Sequence, residues 1–193
     1  MIFTTDKHLN FIIDNIDDIE ALNEIYKRAQ IKIPEIVNNL VTKSILELQH
    51  PFQKDHNLVI ETDGDCVYWY DDRSYDIDKD VGLYFQYDFI DWEDLTDKSV
   101  DVYPAFNLYL EPKGKNRKEK MADFQKCMGI FKKEEEYKDE ITVLNYSLRH
   151  IINIGKLKNS EDFKANIQKT CINFTDDILP RYKKYFQKEG FVN

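Results

Sequence analysis

Apolar and polar residues alternate most clearly over residues 57–111, with the two-residue period of β-strands. The dipeptide Asp63-Gly64 favours a tight turn, because glycine tolerates positive φ, and it therefore predicts a hairpin. A two-residue turn at this dipeptide places Ile60 opposite Val67 on one apolar face. The other face would then carry Glu61, Cys66, Tyr68 and Tyr70.

Two further strands are predicted after this hairpin, at about residues 81–89 and 102–111. Their apolar faces match when Phe85 lies opposite Phe106. Pro104 cannot donate a backbone hydrogen bond, so we expect the fourth strand to be an edge strand or a bulged strand.

The segment before the sheet has the period of amphipathic helices. Residues 6–30 form one predicted helix, and a second is predicted to start at Pro34, since proline suits the first helical turn. Pro51 would end the second helix. Together they predict a helical hairpin over residues 1–50 that covers the sheet.

After the sheet we expect a helix, a strand and a helix over residues 116–189. Residues 116–133 have apolar residues at helical spacing among many lysines. Residues 141–152 could form a fifth strand or a helix, and Thr142, Val143 and Tyr146 favour the strand. Ser160 is typical of a helix N-cap and is followed by two acidic residues.

The order of elements predicts one α+β domain over residues 1–193. Its parts are the helical hairpin 1–50, an antiparallel meander of four to five strands built on 57–111, and the helix-strand-helix unit 116–189 packed on it. Three cysteines form no CxxC pair, and the first residues lack the pattern of a signal peptide. We therefore expect reduced thiols and a cytoplasmic protein without a membrane span.

The negative charge is confined to one segment of the chain. Residues 61–101 hold 14 acidic residues against three basic ones, a net charge of −11, whereas the remainder holds 22 acidic and 24 basic residues. The whole chain has a net charge of −9, so this segment accounts for all of it. It also contains nine of the 26 aromatic residues, which makes it the first candidate for a functional surface.

Carboxylates interleaved with tyrosines predict a surface that binds a basic protein, because carboxylates steer a basic partner and Tyr and Trp are favoured at interface centres. An inhibitor, an immunity protein or a DNA mimic would act in this way, by occlusion and without cofactors. Such a face would repel nucleic acid itself. The residues predicted to bind the partner are Tyr70, Asp71, Asp72, Tyr75, Asp76, Asp78, Asp91, Trp92, Glu93 and Asp94.

The spacing of Asp76, Asp78 and Asp80 is that of the first ligands of a calcium loop. The rest of the loop pattern fails, because Val81 stands where glycine is needed and Tyr87 where the bidentate glutamate belongs. A solvated acidic loop is the better interpretation, and no metal site is expected there.

A catalytic alternative starts from Glu111-Pro112-Lys113, which follows an apolar strand. The register that pairs Phe85 with Phe106 places Asp80 opposite Glu111, and two carboxylates with a lysine suit a magnesium site for hydrolysis. Over residues 35–152 the chain resembles the PD-(D/E)XK nuclease superfamily in its order of helix, meander, helix and strand. The resemblance implies a Mg²⁺-dependent nuclease with Asp80, Glu111 and Lys113 as catalytic residues.

A third alternative is a structural subunit of a larger assembly. It predicts the same sheet but no binding that depends on charge. The sequence leaves open the identity of the partner, the oligomeric state and whether helices cover both faces of the sheet.

Overall fold

The computed structural model describes residues 8, 11–12, 15–71, 81–96, 104–112, 135–137, 140–152 and 160–188, and the structural statements below concern these residues. The fold is α+β, as predicted: a long N-terminal helix precedes an antiparallel sheet, and a second long helix follows it. None of the helices in these ranges is both long and apolar enough to cross a membrane.

One six-stranded antiparallel sheet contains every described strand, in the spatial order β1-β2-β3-β4-β6-β5. The first four strands form the predicted meander, and β6 confirms the strand expected within residues 141–152. The short strand β5 was not predicted, and it makes the sheet larger than expected. The strands are β1 Leu58–Asp63, β2 Cys66–Asp71, β3 Val81–Asp88, β4 Ala105–Pro112, β5 Glu135–Tyr137 and β6 Glu140–Ser147.

The prediction that β4 is an edge strand is wrong, because β6 pairs with the side of β4 that β3 leaves free. Pro104 lies just before the strand and so removes no ladder hydrogen bond from it. An irregularity does lie between Leu108 and Tyr109 in the pairing with β6, but its extra residue, Val143, belongs to β6, so β4 is not the bulged strand either.

The turn between β1 and β2 lies one residue later than predicted. Asp63 pairs with Cys66, so the two central turn residues are Gly64 and Asp65. Gly64 has φ +48°, and positive φ at the first central position is typical of type II′ hairpin turns. The glycine therefore occupies the one turn position at which an L-residue would be strained.

This change of turn moves the pairing by two residues and leaves each side chain on its predicted face. Ile60 lies opposite Trp69 rather than opposite Val67. In the hairpin formed by β3 and β4, Phe85 likewise lies opposite Leu108, whereas the predicted partner was Phe106, two residues earlier. A shift of two conserves the face because side chains alternate with a period of two.

The predicted helical hairpin is wrong, because a single helix runs through both predicted segments. The described helices are α1 Ile16–Leu46, α2 Gln49–His56, α3 Trp92–Thr96 and α4 Ser160–Lys188. Pro34 lies inside α1, where its missing N–H removes one helical hydrogen bond. Residues 30–33 contain no glycine, asparagine or aspartate that would favour a reversal of the chain, so the helix continues.

Helices α1, α2 and α4 contribute to one core on the same side of the sheet, which we call the inner face. Trp69 lies at its centre and stacks on Phe85 with ring centroids 5.5 Å apart. Phe174 of α4 meets Phe85 edge-on at 5.5 Å. The buried Trp69 Nε1 donates to Thr175 Oγ1 at 3.0 Å, which ties the sheet to α4. Each such side chain contributes on the order of 2 kcal/mol by its burial.

The edge strand β1 is covered at its start by the side chain of Gln49. The backbone N–H of Ile60 donates to Gln49 Oε1 at 2.9 Å, and Gln49 Nε2 donates to the carbonyl of Leu58 at 3.4 Å. These bonds occupy backbone groups that an edge strand would otherwise offer to another chain. Asn57, with φ 60°, ends α2 in the left-handed conformation and turns the chain into β1.

Candidate binding surface

The second face of the sheet carries tyrosines and polar side chains, and we call it the outer face. Its residues alternate along β1 to β4 with those of the inner face, and the four assigned to it from the sequence on β1 and β2 are confirmed. Two of its residues, Tyr84 and Asn107, are themselves buried. The outer face comprises Glu61, Cys66, Tyr68, Tyr70, Tyr84, Gln86, Asp88, Asn107 and Tyr109.

Four tyrosines form a row across three neighbouring strands of the outer face. Tyr68 and Tyr70 stack with centroids 5.9 Å apart and planes 18° apart. Tyr84 and Tyr109 stack at 5.3 Å and 17°. Tyr70 and Tyr84 are direct cross-strand partners, so the two stacked pairs adjoin. Tyr68, Tyr70 and Tyr109 are half-buried, whereas Tyr84 is buried, at 7% exposure.

Carboxylates accept hydrogen bonds from hydroxyls at both ends of this row. Tyr68 Oη donates to Glu61 Oε2 at 2.8 Å. Tyr109 Oη donates to Asp88 Oδ2 at 3.0 Å, and Asn107 Nδ2 donates to the same oxygen at 2.7 Å. Bonds of this kind are strong because the acceptor is charged. They fix each carboxylate beside a tyrosine ring.

The carboxylates of this face raise the pKa of two neighbouring groups. The hydrogen bond to Glu61 is the main cause of a raised pKa at Tyr68. The pKa of the Cys66 thiol is raised by burial first and then by the charges of Asp88 and Asp63. Since the thiolate is the reactive form, Cys66 is a poor nucleophile.

The described strands contain eight acidic residues and no lysine, arginine or histidine. In the register of the described strands, therefore, no acidic residue lies opposite a basic one. The acidic residues of the strands are Glu61, Asp63, Asp71, Asp88, Glu111, Glu135, Glu136 and Glu140.

The residues predicted to bind a partner do not form one patch. Tyr70 lies in the tyrosine row, and Asp71 accepts a hydrogen bond from Asn57 Nδ2 at 3.3 Å where β2 ends. Other members lie outside the described residues, and their role stays a prediction; these are Asp72, Tyr75, Asp76 and Asp78.

The remaining predicted residues belong to α3 and its N-cap. Asp91 and Asp94 cap each other's backbone, with N–H to carboxylate distances of 2.9 and 3.0 Å. Trp92 meets Tyr26 of α1 edge-on, with centroids 5.7 Å apart, so it packs on a helix rather than on the sheet. This group, with Glu93, follows β3 at the end of the sheet opposite to Asp71, about 17 Å away along β2.

The register on which the nuclease alternative depends is wrong, because Glu111 lies opposite Gly82 instead of Asp80. Asp80 and Lys113 lie outside the described residues, as do Asp76 and Asp78 of the acidic loop. No group of three or more His, Cys, Asp or Glu residues in the described ranges is placed to hold a metal ion.

Several residues of the outer face were missed as a site by reasoning from the sequence. The signal was present in the alternation, which puts Tyr84 and Tyr109 on one face of their strands. The predicted register, however, pairs Tyr84 with Asn107, whereas the structure pairs it with Tyr109. Recognising the stacked pair needs the correct register.

Comparison of the chain with protein-family models, with curated proteins and with solved structures finds no match in any of the three.

Proposed function

We propose that this chain is a non-catalytic protein that binds a basic surface of another protein through its outer face. The observation that carries the proposal is the tyrosine row with a carboxylate at each end, on a sheet whose described strands have no basic residue.

Arginine is the side chain that this geometry fits best. A guanidinium can stack on a tyrosine ring while its N–H groups donate to a carboxylate beside that ring. Tyr68 with Glu61 offers one such pair, and Tyr109 with Asp88 offers a second. The described helices pack on the inner face. On the outer face Tyr84 and Asn107 are buried, so a partner would contact the exposed Glu61 and the half-buried Tyr68, Tyr70 and Tyr109.

The partner would be a protein whose own function needs a basic surface, for example one that binds nucleic acid. Carboxylates of the outer face would then take the place of backbone phosphates, and the complex would block the partner by occlusion. An inhibitor, an immunity protein and a DNA mimic all work in this way. The proposal needs no cofactor and places the chain in the cytoplasm, where its thiols stay reduced.

A fluorescent arginine-rich peptide is the first probe, with binding followed by anisotropy at about 50 and 500 mM salt. We expect higher salt to weaken binding strongly, because the contacts are between exposed charges. Tyr70→Ala and Glu61→Gln should each weaken binding about threefold to tenfold. Glu161→Gln removes the same charge from an exposed position on α4 and should leave binding unchanged. Binding that ignores salt, or equal losses in Glu61→Gln and Glu161→Gln, would contradict the proposal.

The second step is capture of the natural partner from a lysate of the source cells at the same two salt concentrations. The proposal requires that the captured protein is basic and that Glu61→Gln reduces its retention. A neutral or acidic partner retained at high salt would point instead to a structural subunit.

A further inference from the structure

The first half of α1 carries an apolar stripe that the described core leaves exposed. The buried residues of α1 start at Pro34, so none lies in its first 18 residues. At 3.6 residues per turn, the stripe falls within a sector of about 100°. We define the α1 stripe as Leu22, Ile25, Tyr26 and Ala29; Leu22 is 63% exposed and Ile25 62%.

A helical segment of this length gains little stability by itself. Isolated helices of about 15 residues are marginal in water, and most helices in proteins depend on packing of their apolar face. Trp92 of α3 contacts Tyr26 at one edge of the stripe. Leu22 and Ile25 lie where a second apolar surface would have to pack.

Two charged residues of opposite sign lie at one edge of the stripe, Asp18 near the start of α1 and Lys32 further along it. Glu20, Glu24 and Lys27 lie on the far side of the helix, about 150–170° from the middle of the stripe. Lys32 also contacts Glu35 of its own helix at 2.6 Å. A second α1 lying antiparallel would bring the acidic end of this edge in each copy onto the basic end in the other.

Asp18 and Lys32 give this arrangement a definite register. Both lie on the same side of the stripe, about 40° apart around the helix and about 21 Å apart along it. In an antiparallel helix pair, residues on the same flank of the two helices face each other. Asp18 of one copy would meet Lys32 of the other when the two-fold axis passes near Ile25.

We propose that the chain self-associates into a two-fold dimer through the α1 stripe, with the two α1 helices antiparallel. The basic segment 112–133 of the same chain could also pack on the α1 stripe, and it has eight basic and two acidic residues. That segment would suit Asp18 but would place like charges against Lys32. A second copy complements both residues, so it is the better fit. This surface is separate from the outer face, and the inference does not depend on the proposed function.

Sedimentation equilibrium of the full chain tests the dimer. We expect a mass of about twice 23.1 kDa at tens of micromolar. The double variant Leu22→Glu, Ile25→Glu should weaken association at least tenfold, and it should keep the wild-type circular dichroism because both side chains are exposed. Ile31→Glu is the matched control: Ile31 is 70% exposed and lies about 180° around the helix from Leu22. It should leave the dimer intact.

Charge exchange tests the orientation. Asp18→Lys and Lys32→Asp should each weaken the dimer, and the double variant should restore it, because each contact of an antiparallel pair is then rebuilt with reversed signs. A wild-type chain that remains monomeric at about 100 µM overturns the proposal. It is also overturned if Ile31→Glu disrupts the dimer as strongly as the stripe variant, or if the double exchange fails to restore association. A monomer whose residues 16–33 are protected from hydrogen exchange would identify another segment of this chain as the occupant.

Discussion

Replacing Thr175 by valine removes a buried hydroxyl that links α4 to the sheet. Thr175 Oγ1 accepts from Trp69 Nε1 at 3.0 Å and donates to the carbonyl of Cys171 at 2.8 Å. Both Thr175 and Trp69 are 0% exposed, so water cannot replace the hydroxyl as a partner of the indole N–H. Valine has nearly the same shape, and the variant therefore isolates the loss of the hydrogen bond from any change in packing.

A buried donor left without an acceptor costs about 1–3 kcal/mol. For a chain of this size, each kcal/mol lowers the midpoint of thermal unfolding by about 2–4 °C, so we expect Thr175→Val to lower it by about 2–12 °C. Thermal unfolding followed by circular dichroism measures the shift. Tryptophan fluorescence in a Trp92→Phe background reports on Trp69 alone, since the chain has two tryptophans.

Thr42→Val is the control. It makes the same substitution in a helix, but here the loss of the hydroxyl is not expected to destabilise the chain. Thr42 Oγ1 is buried and has no hydrogen-bond partner among the described residues. Removing an unsatisfied hydroxyl should leave stability unchanged or raise it. Equal destabilisation by the two variants would refute the assigned role of the Trp69–Thr175 bond.

Two further predictions concern the hairpin turn and a surface ion pair. Gly64→Ala should destabilise the chain by about 1–2 kcal/mol through backbone strain alone, since a Cβ at Gly64 meets no atom within 4 Å while φ is +48°; urea unfolding that shows no change would contradict this. The hydrogen bond from Lys164 lowers the pKa of Glu47, so the stability it provides is complete above the ordinary pKa of glutamate, about 4.3, and is lost as the pH falls through the lowered value. Urea unfolding between pH 3 and 7 should therefore show the difference between the wild type and Glu47→Gln shrinking at the acidic end, and a constant difference would show that the ion pair is not its cause.

The alternation of side chains was enough to predict the faces of the sheet but not the partners across it. Each observed pairing differs from the predicted one by two residues. Because side chains alternate between the faces with a period of two, such a shift leaves the apolar pattern unchanged and the sequence does not reveal it. The cause in the first hairpin is local: Asp63-Gly64 and Gly64-Asp65 are both acceptable turn dipeptides, and the sequence does not distinguish them. The tyrosine row depends on the register, so only part of the candidate site could be predicted.

The helices show a second limit of the sequence. Proline is favoured in the first turn of a helix but can also be tolerated inside one, as Pro34 is here. Apolar residues recur at helical spacing both before and after Pro34, so the pattern does not show whether one helix or two are present. Trp92 was expected on the acidic surface because residues 91–100 resemble a loop, whereas Asp91 and Asp94 cap a short helix that turns the ring towards α1. Whether an element packs against another depends on the tertiary structure, which local periodicity does not contain.

Pro34 also has a consequence for how the molecule opens. The carbonyl of Gln30 lacks its usual helical donor, and this break lies where α1 passes from the exposed part to the part buried in the core. Residues 16–32 contain no residue of the core and none packed against it, so they can unwind while the core stays folded, whereas residues 37–45 can unwind only with it. The proline therefore lies close to the boundary between a part of α1 that can open locally and a part that opens only with the domain. Changes in the first part can be tolerated by the domain that the second part helps to hold together.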